Sequence, residues 1–200
     1  PAPMKPLSGS AGAGLSLTQG NSDTLNISVT VDSVYDPKTK NVMKWNALFL
    51  RGTQNGVLAV NRFSAMYRDE TTLSPRLFLF GQLDSLHDTF KSIDYLLAPA
   101  AGVGFKAVNT MRTQLSMDGG VGGVIEKDSN VASKSSGAVT LSQKLAQQLT
   151  DTTTLKESIA SLLKMDAFDD GLYTFQVGVA AKINSRLQLS FDVLDTFKNK

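Results

Sequence analysis

The stretch Ile93 to Lys127, IDYLLAPAAGVGFKAVNTMRTQLSMDGGVGGVIEK, limits what this chain can fold into more than any other. It alternates with a period of two over ten or more residues, twice, which is strand periodicity. Tyr95, Leu97, Pro99, Ala101, Val103 and Phe105 share one parity, opposite Asp94, Leu96, Ala98, Ala100, Gly102 and Gly104. In the second half Leu115, Met117, Gly119, Val121, Gly123 and Ile125 share one face; Asp118, Gly120, Gly122, Val124 and Glu126 share the other. Tyr95 and Phe105 sit ten residues apart on one face. At about 3.3 Å per residue and a tilt of roughly 45°, that separation climbs on the order of 23 Å. The apolar band of an outer-membrane barrel is about 25 Å tall, with an aromatic girdle at each rim. The competing reading is a soluble antiparallel sheet with one wet face. Such sheets use strands of about 5–6 residues, shorter than these.

The same alternation recurs along the chain. Leu25, Ile27, Val29 and Val31 alternate with polar neighbours; Met43, Trp45, Ala47 and Phe49 do so next, then Phe63, Ala65 and Tyr67. Both faces are apolar around Leu77–Phe80, so the parity there is open. Tyr173, Phe175, Val177 and Val179 form a further face, and Leu187, Leu189, Phe191, Val193 and Phe197 the last. Turns fall at Gly20–Asp23, Asp36–Lys40, Asn55-Gly56, Thr71–Pro75, Asp169-Asp170-Gly171 and Asn184-Ser185 by residue type. Loops are read at His87–Lys91 and Asp128–Ser135. Between Ser136 and Met165, two strands compete with a helix, because Leu155, Ile159, Leu162 and Leu163 fit helical spacing as well. Pro99 inside a strand predicts a bulge or a distorted bond.

The expected fold is therefore all-β: an antiparallel up-and-down transmembrane β-barrel of about 12 strands, 11 of them visible, as a single domain over 1–200. Single-chain bacterial barrels carry an even number of strands. The odd count predicts either a twelfth strand beyond Lys200, paired with Leu7–Thr18, or an overcount between Ser136 and Met165.

Short motifs carry a family likeness. Gly20-Asn21-Ser22-Asp23-Thr24, Asp94-Tyr95, Gly102-Val103-Gly104-Phe105, Gly119-Gly120-Val121-Gly122 and Glu126 occur in an order that resembles the YdiY-like family of salt-induced outer-membrane proteins, a family of unknown function. The resemblance implies a barrel in the outer membrane of a Gram-negative-type bacterium and supplies no catalytic residues. Such barrels usually end on an aromatic, and this chain departs from that, ending Thr196-Phe197-Lys198-Asn199-Lys200.

Composition narrows the chemistry. Twenty basic and eighteen acidic residues leave a net charge of +2, without the basic stripe of a nucleic-acid binder. The chain has no cysteine and a single histidine, His87. No thiolate nucleophile is possible, no zinc site is expected, and no cofactor is implied. Nothing resembles a nucleophile elbow, so His87 reads as an exposed loop residue. Asp88 and Asp169-Asp170 could bind a cation in a loop, but solvated turn carboxylates are far commoner, so they read as solvated and no metal is expected. The glycines near 102 and 120 precede no helix and so form no phosphate cradle.

The inward parity carries Lys44, Arg62, Arg68, Asp84, Asp94, Asp118, Lys182, Arg186 and Asp192 as lumen-lining charges. They read either as a selectivity lining for small ions or solutes or as mutual ion pairs filling a narrow interior. Five basic against four acidic residues favours pairing. Trp45, Tyr67, Tyr95, Phe105, Tyr173 and Phe197 are the expected girdle residues, facing a lipid bilayer as partner. The expected function is a non-enzymatic envelope barrel, a narrow channel or a structural one. The alternatives are an outer-membrane hydrolase using His87 and a soluble β-barrel or sandwich acting as a binding or assembly module.

Overall fold

A computed structural model describes residues 6–18, 23–128, 132–183 and 188–199. Within them the chain forms eleven strands: β1 Leu7–Thr18, β2 Thr24–Tyr35, β3 Asn41–Gln54, β4 Val57–Thr72, β5 Leu77–Asp88, β6 Ile93–Asn109, β7 Thr113–Asp128, β8 Lys134–Gln148, β9 Thr153–Lys164, β10 Ala167–Lys182 and β11 Gln188–Lys198. Each strand neighbours the next in sequence, in one sheet ordered β1 to β11. The registers of β1–β2, β2–β3, β3–β4, β8–β9, β9–β10 and β10–β11 are all antiparallel. This is an all-β, antiparallel, up-and-down architecture. The one helical element among the described residues is a 3-10 turn, Thr89–Lys91.

The strands are 11 to 17 residues long, two to three times the ordinary length. Ser136–Met165 forms two strands; the helical spacing of Leu155, Ile159, Leu162 and Leu163 is overridden by the strand ladders on either side. β6 runs unbroken through Pro99, whose ring stands on the exposed face.

Three readings of the loops are corrected. Asp169-Asp170-Gly171 is no turn: it lies inside β10, at a register shift between Ala167 and Gly171, and the chain reverses at Met165-Asp166 instead. His87 is not in a loop: β5 continues through Asp88. The Asp128–Ser135 loop is shorter than expected, because β7 reaches Asp128 and β8 begins at Lys134. Among the other turns, Asn55-Gly56 has φ of 50° and 77°, the paired left-handed geometry of a tight hairpin. At Asp36–Lys40, the ammonium and backbone N–H of Lys38 both donate to Asp36. Those bonds hold the Asp36 carboxyl below the usual carboxylate range. The turns expected at Gly20–Asp23 and Asn184-Ser185 fall wholly or largely outside the described residues, Asp23 alone being described.

The backbone groups into two compact units. The first comprises Pro1–Thr71, Gly81–Pro99 and Gly123–Ser135. In it Phe49 pairs with Phe63 and Trp45 with Tyr67 across β3–β4, while Val29 and Val31 of β2 pair with Phe49 and Ala47. That face is apolar and open: Leu25, Ile27, Val29, Val31, Phe49 and Phe63 are each 37–45% exposed. The second comprises Thr72–Phe80, Ala100–Gly122 and Ser136–Lys200. Its buried side holds Phe78 and Phe80 packed over glycines. A Cβ on Gly120 would lie 2.9 Å from the tip of the Phe80 ring, and one on Gly104 would overlap the Phe78 ring. Gly102 and Gly120 let β6 and β7 approach closely: a Cβ on Gly120 would also meet the Ala101 carbonyl at 2.7 Å. The apolar parity of β5 is thereby resolved, with Phe78 and Phe80 buried and Leu77 and Leu79 exposed.

Candidate functional site

Strand alternation places Lys44, Arg62, Arg68 and Glu70 on the face opposite Trp45, Phe49, Phe63 and Tyr67. Lys44 of β3 and Arg68 of β4 stand directly across from each other, an arrangement of like charges that destabilises a sheet when left alone. Glu70, two residues along β4 and on the same face, resolves it. Lys44 Nζ donates to Glu70 Oε2 at 2.6 Å and Arg68 Nε to Glu70 Oε1 at 2.8 Å. Arg68 Nη1 then donates to Gln82 Oε1 at 2.6 Å, and Gln82 Nε2 to Asp84 Oδ2 at 2.6 Å. One chain of hydrogen bonds so crosses β3, β4 and β5. Its centre is dry: the Arg68 side chain is 2% exposed. A buried guanidinium is tolerated only when its donors are used by charged or polar partners.

A second group lies further along the same strands. Arg62 Nη1 is 3.7 Å from Asp88 Oδ2, both side chains about 90% buried. Asp88 Oδ1 accepts the N–H groups of Phe90 and Lys91 and so caps the 3-10 turn. Asp94 Oδ2 is 3.8 Å from Lys127 Nζ at half-exposed positions. In the second unit, Lys164 and Asp170 form a pair at 2.5 Å.

Of the charges expected to line an interior, Lys44, Arg62, Arg68, Asp84 and Asp94 belong to these groups. Asp118 is half-buried on β7; Lys182 is exposed at the end of β10, and Asp192 is exposed in the middle of β11 across from Gly178. Arg186 lies outside the described residues. Glu70, Gln82, Lys127 and Lys164 were missed, while Asp88 and Asp170, read as solvated carboxylates, are instead held by Arg62 and Lys164. Glu70 was readable, since it shares parity with Arg62 and Arg68; Asp88 and Gln82 were hidden by the open parity of β5.

The six aromatic positions, Trp45, Tyr67, Tyr95, Phe105, Tyr173 and Phe197, are all exposed, at 38–57%. Trp45 packs against Tyr67 with ring centroids 5.7 Å apart and planes tilted by 41°, and Tyr173 against Phe197 at 6.4 Å and 35°. His87 is half-buried. Its Nδ1 donates to the Asp94 carbonyl at 2.7 Å, which leaves Nε2 as an acceptor, 3.3 Å from Thr89 Oγ1 and 3.4 Å from Asn61 Nδ2. Among the described residues no group of three or more His, Cys, Asp or Glu could hold a metal.

The chemistry defines a class: a long-stranded antiparallel sheet protein with an exposed apolar face and an ion-paired opposite face. The chain belongs to the family described as "Protein of unknown function, DUF481", whose model matches residues 11–200. That membership agrees with the resemblance drawn from the glycine motifs. No curated protein matches the chain. Among solved structures, it is similar to a Pseudomonas aeruginosa FadL homologue, with a TM-score of 0.41 and 11% identity over 96% of this chain. It spans 66% of that protein's length. A likeness of that level carries no functional information.

Proposed function

We propose that the chain is a non-enzymatic β-barrel of the bacterial outer membrane, structural rather than ion-selective. The observation that carries the membrane reading is the open apolar face of β2–β4. Trp45, Phe49, Phe63, Tyr67, Val29 and Val31 lie in adjoining register rows and are all exposed. Soluble monomers rarely expose a contiguous apolar patch beyond a few hundred Å²; a bilayer's hydrocarbon covers one at no cost. The ten residues from Tyr95 to Phe105 match the girdle spacing, and the exposed Trp45–Tyr67 and Tyr173–Phe197 pairs suit the membrane–water interface. Fractionation tests this. The protein is expected in the outer-membrane fraction, resistant to carbonate extraction and dependent on detergent in solution. A protein that stays monomeric in buffer without detergent overturns it.

The structural reading within that class rests on the Lys44–Glu70–Arg68–Gln82–Asp84 chain and the Arg62–Asp88 pair. Cations already bound to carboxylates present little field to a passing ion. Planar bilayers containing the purified protein are expected to show no single-channel events, and reproducible conductance steps would make the barrel a channel instead.

A further inference from the structure

We infer that one end of the second unit is a docking surface for the phosphate-bearing face of an anionic phospholipid bilayer. The inference rests on the membrane reading above and assigns which end of the strands meets anionic headgroups.

Backbone hydrogen bonds place four strand ends side by side. The turn from β4 to β5 closes with Arg76, whose carbonyl accepts from Lys106 N at 2.8 Å. The turn from β6 to β7 closes with Arg112, whose carbonyl accepts from Gln148 N at 2.7 Å. The turn from β8 to β9 reaches β10 through Lys182 N, which donates to Thr152 O at 2.8 Å. Arg76, Arg112 and Lys182 are exposed; Lys106 is half-buried, with its ammonium 5.9 Å above the Phe78 ring. Against these four cations, Asp151 is the one carboxylate among the described residues of this end.

Large apolar side chains stand among the cations. Met111 is 96% exposed, Ile183 68%, Leu73 58% and Leu149 51%. They sit in turns, where a protein wetted by bulk water would carry polar residues. Cations interleaved with exposed aliphatics fit a headgroup layer: the aliphatics enter the acyl boundary while guanidinium and ammonium groups stay at the phosphates. A nucleic acid would use the cations but leave Met111 and Ile183 in water. The other end of this unit has a different character. Asp166, Asp169 and Asp170 outnumber Lys164 and Lys198 there, and Lys164 is already bound to Asp170.

The test uses the whole protein reconstituted in phosphatidylcholine vesicles. Electron spin resonance measures how strongly it immobilises spin-labelled phosphatidylglycerol relative to spin-labelled phosphatidylcholine. The wild type is expected to prefer phosphatidylglycerol several-fold, with the preference shrinking as salt screens it. Arg76→Gln with Arg112→Gln should lower the preference by at least about twofold, because each surface cation contributes separately to anionic-lipid attraction. Lys198→Gln, at the other end, should leave it unchanged. Protease protection checks insertion of each variant. An inserted wild type without preference overturns this inference and leaves the membrane reading standing; so does a preference that survives the double substitution or falls equally in Lys198→Gln. A protein that does not insert at all overturns both.

Discussion

Phe78 and Gly104 should be coupled strongly enough to reverse the sign of a substitution. Phe78 is 3% exposed, and its ring tip occupies the place a Cβ on Gly104 would take. Even the third-nearest ring atom would be 2.6 Å from that Cβ. Gly104→Ala must therefore displace the ring from a packed interior, and overpacking of this kind costs roughly 1–3 kcal/mol. Phe78→Ala removes the ring and leaves a void, at a cost of about 3–5 kcal/mol. In that void a methyl on residue 104 meets no obstacle. Gly104 has no left-handed φ to forbid a side chain, and Gly→Ala at a compatible site stabilises by about 0.4–1 kcal/mol through the unfolded chain. Gly104→Ala should thus destabilise the wild type and be neutral or stabilising in the Phe78→Ala background. The coupling is then of order 1–4 kcal/mol, from within to slightly above the usual range for residues in contact. Urea unfolding of the four proteins in lipid vesicles measures it, provided the transitions share one m-value. Additive losses would show that the ring does not cover the glycine.

Other outcomes follow from the two faces and the turns. Val121 is 60% exposed on the apolar face and Asp118 half-buried on the other; in vesicles Val121→Arg should lose roughly 2–4 kcal/mol and Asp118→Arg less, and equal losses would reject the assigned faces. Arg68→Met should cost about 3–5 kcal/mol, since it leaves Glu70 and Gln82 short of a buried partner; unfolding unchanged within error would mean that the hydrogen-bond chain contributes nothing. Gly56→Ala should cost roughly 1–2 kcal/mol, because φ of 77° is left-handed. If the protein does conduct, neutralising Arg62 and Arg68 together should move reversal potentials toward cation preference. Replacing His87 by Ala should leave envelope function intact, and an esterase activity lost with it would favour the hydrolase alternative.

The strands were legible because one face is apolar over long runs, as at Leu25–Val31 and Tyr95–Phe105, and period two then appears in the residues themselves. What failed did so where that contrast vanishes. At Leu77–Phe80 both faces are apolar, because Phe78 and Phe80 fill space left by glycines on other strands, a fact no local window contains. Asp169-Asp170-Gly171 looks like a turn by composition, yet Asp170 is held in β10 by Lys164. Parity alone groups Lys44, Arg62 and Arg68 on one side of the strands, but it does not give their partners, since Arg68 meets Gln82 of a neighbouring strand. His87 was read as exposed because a lone polar residue near Asp88 and Thr89 looks like a loop, and its bond to the Asp94 carbonyl spans two strands.

The chain of bonds from Lys44 to Asp84 also bears on assembly. Side chains in a strand change faces with every residue, so a one-residue slip between β3 and β4 would rotate Arg68 and Glu70 to the apolar side and bring Phe63 and Tyr67 to the charged one. In water a misaligned hairpin of that kind is a modest error. In hydrocarbon it exposes a guanidinium and a carboxylate where nothing solvates them, and it separates Lys44 from its acceptor. In the bilayer proposed above, the buried ions would thus act as a proofreading device for strand alignment, penalising a slipped register.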